Sequence, residues 1–372
     1  MRLIGAALAV LAVASCTSTD ATRQNPLSAL AQTDPMTISV GVADGASAVA
    51  VDTRIYVDGF DGQLESVRLK AGDQAPIPGT IHGVRWTADG LLEPGVKYVL
   101  AASGTGDDGK SVSKQISFST QPLTLDQQTY PSVSPLAGET VGIAMPVIVN
   151  FDIAVKDRAV FEKNMQVTAT PATAGGWYWV SDHQAHWRPQ EFWQPGSEVS
   201  VDLSLNSLPA GNGIYGQQDQ HLEFKVGRSV ISVVDSKTHT MMVNIDGVTA
   251  RRIPVSTGDA KNKTREGTKV IMEKFASVDM DAASTGVDST DPGYYNLSGV
   301  KWAMRVTNSG EFIHAAPWSA ASHGRANVSH GCVGMSTENA AWLYRQSKRG
   351  DVVKFVGSGR KLEPGNGWTD WN

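Results

Sequence analysis

The chain is expected to fold as a mainly β protein of three successive units. Short apolar segments alternating with polar residues recur from Met36 onward, split by Gly, Asp and Pro, the pattern of half-buried strands in antiparallel sheets. A pair of landmarks repeats, because Trp86 precedes Pro94-Gly95 by the same eight residues that separate Trp187 from Pro195-Gly196. No long helical period runs through this part of the chain. At 372 residues the protein exceeds what one core ordinarily fills and suits two or three domains of about 100–150 residues each.

Taken in order, the N-terminus carries Met1-Arg2, an apolar run over residues 3–13, then Ala14-Ser15-Cys16. Residues 1–15 thus read as an export signal, too short for a permanent membrane helix. Val13-Ala14-Ser15-Cys16 also fits the lipobox of bacterial lipoproteins, in which Cys16 is lipidated; cleavage after Ala14, at an A-x-A site, is the alternative. Residues 16–35 are polar and read as a flexible tether.

Residues 36–121 hold strand patterns at 37–40, 54–57, 96–100 and 114–118, and residues 122–227 repeat the scheme at 147–151, 165–169 and 221–226. This is an internal duplication of one β-sandwich module. Neither copy contains cysteine, so an Ig-like architecture is expected without a disulfide. Residues 228–357 form the third unit, opening on a hairpin pattern around the polar turn 235–239 and including strands at 311–314 and 352–356. A short helix is expected over 336–344, with Ser336 as N-cap and Asn339 in place of the preferred acidic partner. Residues 358–372, ending Asp370-Trp371-Asn372, form a tail expected to pack on the preceding domains.

Composition is that of a soluble globular protein, 41% hydrophobic and 19% charged, with a net charge of −5. Such a surface has no basic field for nucleic acid, and its mild acidity argues no partner. Only two cysteines exist. If Cys16 is lipidated, Cys332 is solitary, and a solitary thiol in an exported protein points to reactivity where a buried inert cysteine is the ordinary alternative.

The run Ser329-His330-Gly331-Cys332 concentrates the chemistry, with His314 eighteen residues before the cysteine. A thiol near pKa ~8.5 is mostly protonated at neutral pH and needs a base, for which His314 is the candidate. Its ring needs an orienting partner, which a backbone carbonyl or a carboxylate can supply. Gly331 permits a tight turn, so that its N–H and that of Cys332 can face a developing oxyanion. His330 either tunes the thiolate or braces the loop. His314, His323, His330 and Cys332 could instead hold zinc, but their spacing matches no common finger. Trp177, Trp179, Trp187 and Trp193 could stack on sugar rings, although packing is the expectation given the area each buries. His82, His183, His186, His221 and His239 show no ligand spacing and read as surface or satisfied residues.

These residues resemble the L,D-transpeptidases with a YkuD-type catalytic domain, specifically the mycobacterial lipoproteins with two Ig-like domains ahead of it. The pattern is His314-Ala315-Ala316-Pro317-Trp318, then Asn327-Val328-Ser329-His330-Gly331-Cys332, then Glu338-Asn339-Ala340-Ala341-Trp342, supported by Val255-Ser256-Thr257-Gly258. The resemblance implies peptidoglycan cross-linking without cofactor or metal. Cys332 would attack the third residue of a tetrapeptide stem, expelling D-alanine, and an amine of a neighbouring stem would take the acyl group in a 3→3 bridge. His314 would be base and later acid, oriented by the Ala315 carbonyl. Met280, Tyr294 and Trp302 would belong to a lid over residues 277–301, with the Tyr294 N–H in the oxyanion hole and Tyr295 one register away; Trp318, Ser329 and Asn327 would also contact substrate.

The resemblance further implies inhibition by carbapenem β-lactams and a lipid anchor in the cell membrane, facing the wall. The alternative is a wall-binding lipoprotein with a weak or degenerate catalytic domain. One departure stands out: Gly334 replaces an asparagine usual in the family, and losing that amide is expected to leave the cysteine turn less ordered and to slow acylation by carbapenems.

Overall fold

The computed structural model describes residues 34–285, 288–290 and 294–372. The signal, Cys16 and nearly all of the tether lie outside them. The described chain is mainly β, with Ig-like sheets leading into a β-rich C-terminal domain that carries one short helix, as the sequence predicts.

The first sandwich has one sheet in the order Thr37–Val40, Tyr56–Phe60, Arg85–Ala88, Gly79–His82, and a second in the order Gly62–Ala71, Lys97–Gly106, Ser111–Ser119. The second sandwich repeats this plan with Pro131–Ser134, Val147–Phe151, Gln184–Pro189 and Gly175–Ser181 facing a sheet built on Met165–Thr170, Glu198–Leu203 and Gln220–Val226. The repeated landmarks fall on equivalent strands: Trp86 pairs across Val57, and Trp187 across Val147. Both tryptophans are buried. Gly95 and Gly196 take φ of +67° and +84°, a backbone that an L side chain resists, and each N–H closes its sandwich onto the end of the module, at Gln121 O and Val226 O. The second copy adds a helix, Arg158–Lys163, and a small sheet of Pro209–Gly211, Ile214–Gly216 and Gln128–Thr129, none of which the apolar pattern signalled.

The tryptophans of the second sandwich pack. Trp187 and Trp193 stack at 5.2 Å, Trp179 stacks on Phe151 at 5.5 Å, and three indole N–H groups are spent inside the protein: Trp193 on Met145 O, Trp177 on Met165 O, Trp179 on Glu162.

In the third domain a six-stranded sheet runs Val248–Pro254, Thr240–Ile245, Val230–Asp235, Val352–Val356, Arg265–Val270, Arg360–Lys361. A four-stranded sheet runs Glu273–Asp281, Asn296–Arg305, Phe312–Ala315, Val333–Met335. Met241, Ile253, Met304, Ile313, Met335 and Phe355 form the core between them. The helix Thr337–Gln346 closes one side, buries Ala340 and Leu343, and is capped by Ser336 accepting from Asn339 N at 3.3 Å. It runs two residues beyond the expected end. The strand expected from Glu311 begins at Phe312, which frees Glu311 from the ladder.

The C-terminal tail ties the third domain to the second sandwich. Asp370 is buried against His186 and Tyr178, Trp371 donates to Ala144 O and packs its ring at a tilt against Phe192, and the Asn372 amide pairs with both backbone groups of Thr268. Arg349 reaches Glu139 at 3.1 Å. Val270 and Val352 of the third domain complete the second sandwich's core.

Candidate active site

The parallel pairing of Phe312–Ala315 with Val333–Met335 sets His314 opposite Gly334 and so brings the histidine beside the Cys332 turn. Both side chains, with Gly334, line a cavity of about 280 Å³ whose other walls are mostly apolar: Met280, Tyr295, Leu297, Ala316, Trp318 and Val328, with Ser256, Ser319, Ser329 and His330. Met280, Trp318, Ser329 and His330 of the expected set are therefore at the cavity. Trp318 is 57% exposed at its mouth, and its ring stacks on His314 at 5.8 Å.

Three expected residues are elsewhere. Trp302, at a positive φ of +56°, packs on Tyr344 of the helix at 5.3 Å and against the domain core. Asn327 ties loops together, accepting from Thr257 N at 3.1 Å and donating to Ser236 O at 2.8 Å, with His239 on its oxygen. Tyr294 is half-buried but not on the cavity wall; the neighbouring Tyr295 is, its ring tilted against His330 at 5.2 Å. Sequence reasoning left Ser256, Leu297, Ser319 and Val328 without a role, although Ser256 and Val328 stand inside the quoted motifs.

The turn itself is held by hydroxyls. Ser329 Oγ donates to Cys332 O at 2.6 Å and accepts from Gly331 N at 3.2 Å, while Thr264 Oγ1 donates to Gly331 O and accepts from Gly258 N, both at 2.8 Å. Gly331 has φ of +120°, where a side chain would be strained. Ser256 pairs twice with Gly334, N to O and O to N, each at 2.9 Å. These hydrogen bonds hold the turn without an amide at position 334. A Cβ at Gly334 would stand 2.8 Å from Ala316 Cβ, with Ser319 and His323 next nearest, so the space the amide would need is filled.

His314 is buried, and its Nδ1 lies 2.8 Å from Ala315 O. A carbonyl only accepts, so Nδ1 carries the proton and Nε2 keeps its lone pair. Burial holds the ring's pKa below the ordinary histidine value, partly offset by that carbonyl. Cys332 is buried as well, and burial pushes its thiol up to about 11, against the opposing effect of the Phe312 N–H. Its sulfur accepts from Phe312 N at 3.4 Å and donates to Gly310 O at 3.7 Å; no hydrogen bond joins it to His314. The thiol thus donates to Gly310 O and not to the base that shares its cavity. Among the described residues no three His, Cys, Asp or Glu side chains converge to hold a metal, and His314, His323, His330 and Cys332 form no such group.

The model of the L,D-transpeptidase catalytic domain matches residues 229–355, and that of a bacterial Ig domain matches residues 46–209, running across both sandwiches. L,D-transpeptidase 2 of Mycobacterium tuberculosis is 34% identical over 90% of this chain and 82% of its own length. The chain belongs to the L,D-transpeptidase family. L,D-transpeptidase 5 of Mycobacterium tuberculosis is 36% identical over 88% of this chain and 73% of its own. Among solved structures, the LD transpeptidase LdtMt1 in complex with imipenem superposes with a TM-score of 0.54 at 34% identity, over 62% of this chain and 99% of that one. L,D-transpeptidase 3 from Mycobacterium tuberculosis, in complex with a faropenem-derived adduct, gives 0.51 at 32% identity over the same shares. As an L,D-transpeptidase of the cysteine-based family, the chain is an enzyme, and its substrate class is peptidoglycan.

Proposed function

We propose that this transpeptidase forms 3→3 cross-links between peptidoglycan stems through an acyl-enzyme on Cys332. The observation that carries this reading is the shared cavity of Cys332 and His314, with the His314 Nδ1–H fixed on Ala315 O so that Nε2 is the free base. The thiol swings from Gly310 O toward Nε2 and passes its proton there; the thiolate attacks the carbonyl of the third stem residue. The oxyanion is met by the Cys332 N–H, since the Gly331 N–H is spent on Ser329 Oγ. Collapse expels D-alanine, whose amine takes the proton from His314. A side-chain amine of a second stem then gives its proton to His314 as it attacks the thioester, and the thiolate leaves with the 3→3 amide formed.

The mostly apolar walls suit an extended aliphatic stem, and Trp318 at the mouth offers a face to it. Relatives solved with imipenem and with a faropenem-derived adduct support carbapenem acylation of the same thiol here. The lipobox supports anchoring of the mature chain through lipid on Cys16, with the sandwiches holding the site away from the membrane toward the wall. Intact-mass analysis with a disaccharide-tetrapeptide should show an acyl adduct with loss of D-alanine, absent in Cys332→Ala; an adduct that survives this substitution would overturn the mechanism. A mature form beginning at Ser15 without added lipid mass would overturn the anchor.

A further inference from the structure

Behind the nucleophile, on the side away from the cavity, lies a group of buried charges that the transpeptidation steps leave unused. Lys269 on strand Arg265–Val270 has a fully buried side chain whose ammonium pairs with Glu311 Oε2. Arg265 gives Glu311 Oε1 its backbone N–H at 3.0 Å and its guanidinium at 3.2 Å, and also pairs with Glu363 from the tail. Glu311 is 4% exposed. A buried ionic group of this kind is a poor device for stability, since apolar side chains of similar volume often do as well.

Its position gives it another use. Glu311 sits between the two residues whose backbones hold the thiol, Gly310 accepting from the sulfur and Phe312 donating to it. Its own N–H is fixed on Thr307 Oγ1 and its C=O on Val306 N, so the segment 310–312 has no freedom of its own. On the other side, a Cβ at Gly331 would lie 3.5 Å from Glu311 Cγ and Oε1, which places the cysteine turn directly against this carboxyl group.

We propose that Glu311 is a positioning residue for the nucleophile: anchored by Lys269 and Arg265, it fixes the cradle in which the resting thiol lies and sets its carboxylate against the cysteine turn. The inference rests on the reading of Cys332 as the nucleophile. The remaining groups around the sulfur are Arg305, paired with Glu273, Tyr295 of the lid, and His314 and His330 of the cavity. Of the groups behind it, Glu311 works to keep the proton on sulfur, while Lys269 and Arg305 work to remove it.

The test is the pH dependence of Cys332 alkylation by iodoacetamide, followed by intact mass, in the full chain. The wild-type midpoint is expected above the free-cysteine range of about 8.5. Glu311→Gln should move it down by at least about one pH unit, so that alkylation at pH 7.5 is roughly ten-fold faster. Lys269→Met should move it up, and Glu311→Asp, which keeps the charge, should stay close to wild type. Coinciding profiles for Glu311→Gln and Lys269→Met, or shifts in the same direction, would overturn the proposal. Should Glu311→Gln fail to fold, the wild-type midpoint and Lys269→Met decide: a wild-type midpoint at or below about 8.5, or an unmoved Lys269→Met, would overturn it. The catalytic reading fails separately. A thiol that shows these shifts but forms no adduct with the tetrapeptide would remove Cys332 as nucleophile and leave Glu311's hold on it standing.

Discussion

With Nδ1–H on the Ala315 carbonyl and the ring out of water, His314 is neutral at pH 7 and available as a base. His314→Gln is expected to slow acylation by tetrapeptide about 10²–10⁴-fold at neutral pH, with the deficit shrinking as pH approaches the thiol's own pKa. An unchanged pH profile would remove His314 from that role. The same burial has a stability consequence. A folded-state pKa below the unfolded value near 6.5 means that the native state binds fewer protons, so this contribution is present above pH ~6.5 and lost as pH falls through the lowered folded-state value. Cys332→Ala should abolish the acyl-enzyme while costing at most about 1–2 kcal/mol of stability, since it removes one sulfur from a turn that hydroxyls hold.

Gly334 on strand Val333–Met335 shows how an element overrules a motif. The resemblance to the family's usual pattern favours Gly334→Asn as a gain of a loop-holding amide; the strand, clamped by Ser256 on one edge and pressed on Ala316, leaves that side chain no room. Gly334→Asn is therefore expected to slow carbapenem acylation several-fold and to destabilise by about 1–3 kcal/mol, the ordinary cost of overpacking. Faster adduct formation under saturating drug would show that Ala316 yields. At the start of strand Val352–Val356, Asp351 is 1% exposed and its carboxyl is pushed up to about 7 by burial, although Oδ2 accepts from Lys348 N. Here the native state binds more protons than the unfolded chain, so stability is fully present below pH ~4 and lost as pH rises through 7. Asp351→Asn should raise the melting temperature at pH 8 and lose most of that advantage by pH 5; equal gains at both would mean that the carboxyl is neutral or solvated throughout.

For the whole molecule, the last three residues join the second sandwich to the catalytic domain through a buried His186–Asp370 pair, an indole on Ala144 O and an amide on strand Arg265–Val270. Removing residues 370–372 exposes the face on which Trp371 rests and takes from His186 and Tyr178 the carboxylate they share. The expected result is a loss of about 2–4 kcal/mol and a calorimetric trace in which the catalytic domain melts apart from the sandwiches. A single transition at the original temperature would show that Arg349–Glu139 and the shared apolar core suffice.

By itself the sequence determined the β class and the duplicated sandwich, and it singled out Cys332 and His314, which the structure brings to one cavity. Period-two alternation, a repeated Trp to Pro-Gly spacing and a histidine ahead of Ser-His-Gly-Cys are local patterns that survive without knowledge of what packs on them. Only the tertiary structure decided which aromatic faces the cavity, because one residue of register ahead of strand Asn296–Arg305 separates Tyr295 on the wall from Tyr294 off it, and Trp302 packs on the helix instead. Asn327 belongs to the cysteine motif in sequence, yet its amide is spent on strand ends that come from 70 and 91 residues earlier in the chain. The charges behind Cys332 were equally out of reach, since Lys269 and Glu311 lie 42 residues apart and meet only where the two sheets of the catalytic domain close on the cysteine turn.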